Sequence, residues 1–188
     1  MAGMIGLGLV VVAALWAIGI YNALVRLRVQ CDTAWSDIDV QLKRRYDLIP
    51  NLVETVKGYA GHERQTLEAV IAARSRAMGA VGPAAKAEAE NTLTGTLKSL
   101  FAVAEAYPQL RAVENFTMLQ KSLAEIEDFI QQARRYYNAV VRDLNTKIEV
   151  FPSNLVANIF GFTHREFFEL ESPAERVVPK VSFEAPKS

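Results

Sequence analysis

The first 25 residues of this 188-residue chain contain no Asp, Glu, Lys or Arg side chain. Residues 5–23 consist mostly of Ile, Leu, Val, Ala, Trp and Gly. A helix needs about 20 mostly apolar residues to cross a bilayer, and this segment is long enough to do so. We therefore interpret residues 1–25 as a transmembrane anchor that ties the rest of the chain to a membrane.

A cleaved secretory signal peptide is the competing interpretation of the same segment. Such a peptide opens with basic residues and ends at a small-residue cleavage site. The chain instead begins Met-Ala-Gly-Met, without a basic side chain, and Asn22–Arg26 is a poor cleavage sequence. These two absences favour a retained anchor.

Basic residues follow the apolar segment, whereas none precedes it. Arg26 and Arg28 come directly after the segment, and Lys43, Arg44 and Arg45 lie further along. Segments rich in Lys and Arg near a span stay on the cytoplasmic side of the membrane. The sequence therefore predicts a single-pass protein whose C-terminal domain lies on the cytoplasmic side.

Several kinds of residue are too scarce for common functional sites. The single cysteine, Cys31, excludes an intrachain disulfide and a Cys-x-x-Cys pair. Lys plus Arg equals Asp plus Glu, with 21 of each, so no basic excess indicates a nucleic-acid partner. The two histidines, His62 and His164, lack the Glu-x-x-His spacing of di-metal bundles. With no Gly-rich phosphate loop and no G-x-S-x-G motif, we expect no cofactor, no metal and no enzymatic activity.

Apolar residues recur every three or four positions after the anchor, as on one face of an α-helix. The first stripe runs from Leu24 to Tyr46 without a helix breaker. Anchor and domain are therefore predicted to share one helical rod of about 45 residues, roughly 65 Å long. Pro50 is predicted to end or kink this rod, because proline has no amide hydrogen. A second helix is then expected from Pro50 to Gly79.

Two further stripes predict two more long helices. One begins after Pro83 and is interrupted at Pro108, and the other runs from Val113 to Leu144. A short helix is predicted over Asn154–Phe160, and no segment alternates like a strand. The expected fold is all-α, an antiparallel bundle of long helices over residues 26–171, the first continuous with the transmembrane helix. Residues 172–188 have three prolines and no stripe, which indicates a disordered tail.

A dense set of polar residues lies on the first helix, just after the anchor. Exposed pairs one turn apart, such as Asp39 and Lys43, stabilise a helix by only about 0.2–0.5 kcal/mol, so a solvated face is the simplest interpretation. An interaction surface for a partner or a second copy is the alternative, and a catalytic acid pair is a third. The candidate interaction residues are Asp37, Asp39, Arg44, Arg45, Asp47 and Asn51.

The same region resembles the signature of the LemA family. The resemblance is carried first by the run AWSDIDVQLKRRYDLIPNLV, residues 34–53. Shorter similar pieces follow in family order and extend the resemblance from about Tyr21 to Leu170. These pieces are Ala73-Arg74, Tyr107-Pro108-Gln109-Leu110, Phe116–Gln120, Ala133–Asn138, and Phe151-Pro152 with Gly161-Phe162.

The resemblance implies a bacterial membrane protein with one N-terminal span, a mainly helical domain and no established enzymatic activity. Together with the basic residues, it places the protein in the inner membrane. A related member takes part in building magnetosome membranes, which hints at membrane organisation. Our leading hypothesis is therefore a scaffold that self-assembles at the membrane, with the lipid bilayer and further copies of itself as partners.

Two other functions stay open. The protein is alternatively an adaptor that recruits another membrane protein through its tail or through the aromatic stretch of residues 160–168, unless those aromatics close the end of the bundle core. A membrane-associated, metal-dependent hydrolase is the third hypothesis. It requires Asp37, Asp39 and His62 to meet in one pocket.

Overall fold

The computed structural model describes residues 2–169, which form six α-helices and contain no strand. The predicted all-α class is confirmed. The predicted disordered tail lies outside the described residues. The helices are α1 (Ala2–Lys57), α2 (Arg64–Gly79), α3 (Pro83–Glu105), α4 (Pro108–Arg111), α5 (Glu114–Glu149) and α6 (Ser153–Ile159).

Helix α1 has 56 residues, which at 1.5 Å per residue make a rod of roughly 84 Å. Its N-terminal part is the apolar segment, and residues 3–16 are exposed on all sides of the helix. The most apolar 18-residue window of α1 has no buried residue. A helix that is apolar all round and uncovered by protein requires lipid around it, so this segment is a membrane anchor.

Helix α1 continues through Pro50, so the predicted boundary at this residue is wrong. Pro50 has no N–H to donate to the carbonyl of Tyr46, one turn earlier in the helix. The side chain of Arg74 on α2 donates to that carbonyl instead, with 2.7 Å between Nε and O. The contact with α2 thus satisfies the carbonyl that proline leaves free, and the helix remains unbroken.

The turn between α1 and α2 lies at residues 58–63, where two glycines occur. Tyr59 and Ala60 donate backbone hydrogen bonds to the carbonyl of Val56 and close the turn. A Cβ atom at Gly61 would lie 3.0 Å from the carbonyl oxygen of Lys57, so the backbone approaches too closely for a larger residue. This turn, and not Pro50, separates the first two helices.

Helices α1, α2, α3 and α5 form the predicted antiparallel bundle, alternating in direction. The α1–α5 pair is the longest contact: the Trp35 ring lies 5.4 Å from that of Tyr137, and Arg45 reaches Glu127 further along. The short α2–α3 hairpin packs on the later part of α1, where Arg74 contacts Tyr46 and Lys86 contacts Asp39. The core has one continuous apolar cluster, including Ile38, Leu42, Ile49, Leu52, Leu93, Leu100, Ile130 and Leu144.

The later helices follow their predictions closely. Helix α3 begins at Pro83, directly after Gly82, whose φ of 86° suits glycine. Helix α5 contains the predicted stripe and extends it to Glu149. The short helix α6 lies within one residue of its predicted bounds, and Gly161 follows it with a φ of 67°.

Candidate functional site

A buried ionic network joins three helices in the middle of the bundle. The guanidinium of Arg45 on α1 lies 3.0 Å from a carboxylate oxygen of Glu90 on α3 and 3.3 Å from one of Glu127 on α5. Its second terminal nitrogen donates to the hydroxyl of Thr94 at 2.9 Å. Arg45 is 5% exposed and Glu90 is 0% exposed, so both charges are buried. Their ion pair compensates for the loss of hydration of each charge.

Tyr46 completes the network by donating its phenolic hydrogen to the second carboxylate oxygen of Glu90. Burial raises the pKa of Tyr46, and the hydrogen bond to Glu90 raises it further. Burial also raises the pKa of Glu90, against the opposing hydrogen bond from Tyr46 and the charge of Arg45. Arg45 and Tyr46, which are neighbours on α1, thus each bind one carboxylate oxygen of Glu90 on α3.

The edge of the network reaches solvent on two sides. Lys86 Nζ lies 3.6 Å from Asp39 and 5.9 Å from the centre of the Tyr46 ring, which is a cation–π distance. On the other side a groove of about 420 Å³ opens between α3 and α5, with Arg45 and Glu127 in its lining. The network thus connects α3 to α1 and α5 through Arg45, Tyr46 and Glu90.

Sequence reasoning missed Lys86, Glu90, Thr94 and Glu127. A signal for Glu90 is present, because it lies three and seven residues before Leu93 and Leu97, in phase with the apolar stripe of α3. A charged residue in phase with such a stripe is buried when the helix packs and must then find a partner.

The structure separates the six predicted interaction residues. Arg45 lies inside the bundle, and Asp39 lies beside α3, where it pairs with Lys86. The other four are exposed on α1, and whether they form an interaction surface stays a prediction. We name these four the outer face of α1: Asp37, Arg44, Asp47 and Asn51.

The predicted convergence of Asp37, Asp39 and His62 does not occur. His62 lies in the turn after α1, so about 18 helical residues, roughly 27 Å, separate the end of α1 from Asp39. Residues 2–169 contain no group of three or more His, Cys, Asp or Glu side chains that could hold a metal. His164 lies 3.6 Å from Glu149 on the surface. The metal-dependent hydrolase thus finds no support in this part of the chain.

An extended segment, residues 163–169, runs back along α5 and is held there by two asparagines seven residues apart. Asn145 donates to the carbonyl of Arg165 and accepts from its amide, both at 2.9 Å. Asn138 forms the same pair with Phe168, at 3.0 and 2.9 Å. Each asparagine side chain thus makes the pair of backbone hydrogen bonds that a neighbouring strand would otherwise make. We name residues 163–169 the strap.

The strap covers the part of α1 that the α2–α3 hairpin leaves open. Phe168 is fully buried, with its ring 5.5 Å from that of Trp35. Arg165 reaches Asp32 on α1 at 2.8 Å, and Tyr137 donates to the carbonyl of Glu166 at 2.9 Å. Of the aromatic stretch considered as a docking element, Phe168 therefore belongs to the core.

Replacing Asn138 with alanine is expected to release the C-terminal part of the strap. The change removes both hydrogen bonds to the Phe168 backbone, each worth about 0.5–1.5 kcal/mol. Hydrogen exchange at the Phe168 amide should become faster, and proteolysis within the strap should precede cleavage of the helices. Asn145→Ala, which removes only the hydrogen bonds to Arg165, is the control and should leave Phe168 protected. Unchanged exchange at Phe168 in Asn138→Ala would contradict this assignment.

Tyr137 is expected to make stability fall at alkaline pH. Burial raises its pKa from 10.0 to about 12. The folded state therefore keeps the phenolic proton where the unfolded state loses it, so the stabilisation is complete below pH 10 and disappears as the pH rises to about 12. Urea unfolding across this range should show a shallower decline for Tyr137→Phe than for the wild type. Equal slopes would contradict the raised pKa.

The chain is similar in sequence to one protein family and to several of its named members. The sequence profile of the LemA family matches residues 34–183. Magnetosome protein MamQ 2 of Paramagnetospirillum magneticum is 28% identical over 180 residues, covering 82% of this chain and 66% of the relative. MamQ 1 of the same organism matches to the same extent. Protein LemA of Metamycoplasma hominis is 27% identical over 164 residues, covering 85% of this chain and 73% of that protein.

The chain thus spans 66% of the length of the two MamQ proteins. The matched residues 34–183 contain the ionic network, the proline-bridging arginine and the asparagines that hold the strap. Because the family profile covers well over half of the sequence, the resemblance seen in the first helix extends through the bundle. The chain therefore belongs to the LemA family.

Proposed function

We propose that this protein is a self-assembling scaffold of the bacterial inner membrane, with its helical domain in the cytoplasm. The observation that carries the proposal is helix α1, which continues from the apolar anchor into the bundle without a break. A continuous helix fixes the height of the domain above the membrane. Copies in one membrane would therefore present the same surface at the same height.

The outer face of α1 is the surface we assign to this assembly. The bundle covers the opposite side of the helix, where Leu42, Arg45 and Ile49 are buried. Asp37 and Arg44 lie two turns apart on the uncovered side and carry opposite charges. Complementary charges select a partner and a register more than they add affinity, which suits contact between identical neighbours.

The test is the mass of the full-length protein in mild detergent or nanodiscs. The wild type is expected to form a discrete assembly, and Arg44→Glu is expected to reduce its mass. Arg111→Glu, a charge reversal on exposed α4, is the matched control and should leave the mass unchanged. Adding Asp37→Arg and Asp47→Arg to Arg44→Glu reverses every charge on the face and should restore assembly. A wild-type monomer, or an unchanged mass for Arg44→Glu, would exclude the proposal.

The orientation has a separate test. Met118, at the start of α5, is exposed at the end of the bundle far from the anchor. A cysteine there, in a Cys31→Ser background, should react with a membrane-impermeant maleimide only after the cells are opened. Labelling of intact, spheroplasted cells would place the domain outside instead.

An adaptor remains the second candidate, because α5 carries an exposed apolar row. Met118, Phe129 and Tyr136 lie on one side of the helix, at spacings of 11 and 7 residues, and all three are exposed. A row of this spacing suits a helix of a partner membrane protein. Photo-crosslinking from position 129 in cells should then give a product with a different protein, whereas a scaffold predicts products containing only this chain or none.

A further inference from the structure

The chain contains a second long segment without charge, besides the anchor. Residues 150–163 include no Asp, Glu, Lys, Arg or His, and this is the longest such run after residue 25. The segment comprises helix α6 and the residues on either side of it. Charged side chains are ordinarily frequent at a protein surface, so their absence from a surface segment indicates an apolar environment.

Helix α6 has one apolar side on the bundle and another facing away from it. Val156 and Ala157 are buried, and Ser153 is satisfied by the carbonyls of Lys147 and Val150. The outward side chains are large, apolar and 53–77% exposed. They are Phe151, Leu155, Ile159 and Phe160. Four such side chains close together form an exposed apolar patch of the kind that marks a contact with lipid or protein.

The position of α6 along α1 decides between these partners. The ring of Phe160 lies 4.7 Å from that of Tyr21, and the ring of Phe162 lies 5.8 Å from it. Tyr21 belongs to the uncharged anchor, five residues before Arg26, which is roughly 8 Å of helix. The interfacial region of a bilayer is about 5–7 Å thick on each side of the hydrocarbon. Helix α6 thus lies at the level where the anchor leaves the hydrocarbon.

The charged residues beside the patch are also consistent with a position at the membrane surface. The Arg28 guanidinium lies 5.4 Å from the centre of the Phe162 ring, and Arg28 comes directly after the anchor along α1. His164 and Arg165 follow the uncharged run at once and are exposed, and they pair with Glu149 and Asp32 respectively. An apolar surface bordered by basic and aromatic side chains is the pattern of an element that lies in the membrane interface.

We propose that α6 and the residues flanking it form a second membrane contact, in which the exposed side chains of Phe151, Leu155, Ile159 and Phe160 insert into the same leaflet that α1 enters. Two contacts fix the tilt and the rotation of the bundle on the membrane, which a single helix leaves free. The occupant of the patch is the lipid surface itself. The proposal depends on the anchor and is independent of self-assembly.

The test is depth-dependent fluorescence quenching in the full chain reconstituted into phosphatidylcholine vesicles. Single cysteines at Leu155, Ile159 or Phe160, in a Cys31→Ser background, carry an environment-sensitive fluorophore. Lipids with a nitroxide near the headgroup are expected to quench these probes several-fold more strongly than a probe at Met118, the matched exposed control. The probes replace exposed side chains, so the bundle should remain folded, as circular dichroism can check.

Two results would overturn the proposal. Probes that emit as in water and are quenched no more than the control would show that α6 stays out of the membrane. Blue-shifted emission that lipid nitroxides do not quench, and that falls on dilution of the protein into excess lipid, would show that a second copy covers the patch. The mass measurement with Arg44→Glu tests assembly separately, so the failure of either proposal can be recognised independently of the other.

Discussion

Replacing Arg45 with alanine is expected to lower the free energy of unfolding by about 3–5 kcal/mol, because the change leaves a buried carboxyl group without its charged partner. Glu90 is fully buried, and without Arg45 it retains the hydrogen bond from Tyr46 and the more distant charge of Lys86. Glu127 is partly exposed and can turn to water, so most of the cost falls on Glu90. This is the largest effect of a single substitution that we expect in the domain.

Denaturant unfolding of the full chain in detergent, followed by circular dichroism, measures this loss. Arg111→Ala is the matched control, because it removes an exposed arginine that belongs neither to the network nor to the outer face of α1. Its effect should lie within about 0.5 kcal/mol of the wild type. A loss for Arg45→Ala no larger than that of the control would show that the network does not stabilise the bundle.

Removing the buried charges of Arg45 and Glu90 together separates the cost of desolvating these charges from the contribution of packing. The triple variant Arg45→Met, Tyr46→Phe, Glu90→Leu replaces the buried centre of the network with apolar side chains. Thr94 and Glu127 lose Arg45 but are partly exposed and can bond to water instead. Such replacements are often neutral or stabilising by about 1–4 kcal/mol. We therefore expect the triple variant to be more stable than Arg45→Ala. If it is less stable, the network contributes more than the mutual neutralisation of its charges.

Replacing Arg74 with alanine is expected to cost about 1.5–3 kcal/mol, the range for a hydrogen bond from a charged donor. Arg74 Nε donates to the carbonyl of Tyr46, which has no helical donor because residue 50 is proline. Removing the side chain thus leaves this carbonyl of α1 unsatisfied. It also removes a link between α2 and the first helix.

A double-mutant cycle with Pro50→Ala tests the cause. An alanine at position 50 has an N–H that can donate to the carbonyl of Tyr46 in the ordinary helical manner, so Arg74→Ala should cost clearly less in that background. Urea unfolding of the four proteins gives the coupling energy. If Arg74→Ala costs the same in the wild-type and Pro50→Ala backgrounds, the arginine does not act by replacing the missing helical hydrogen bond.

Arg44 and Arg45 show how adjacent residues of one signature differ in role. In the sequence both belong to the same polar cluster, and both were assigned to an interaction surface. Their side chains point in directions about 100° apart on the helix. Arg45 is therefore buried in the bundle, whereas Arg44 is exposed to solvent. Arg44→Glu is accordingly expected to change the mass of the assembly, and Arg45→Ala the stability of the domain.

The sequence by itself determined the anchor and helices α3, α5 and α6. Apolar periodicity requires only local spacing, so it predicted α3, α5 and α6 closely and identified an uncharged segment long enough to cross a membrane. It also predicted that anchor and domain share one helix. These properties follow from residues near one another along the chain, and no tertiary contact is needed to infer them.

The tertiary structure alone decided where polar groups find their partners. Proline normally ends a helix, but Arg74, 24 residues later, satisfies the carbonyl that Pro50 leaves free, and α1 continues. Glu90 is in phase with an apolar stripe, yet its pairing with Arg45 depends on how α3 packs against α1. The level of the apolar patch along α1 follows from the contact between Phe160 and Tyr21, which only the fold brings together. Each case joins residues distant in sequence, because a buried or freed polar group is satisfied by whatever packing brings near, which local periodicity does not encode.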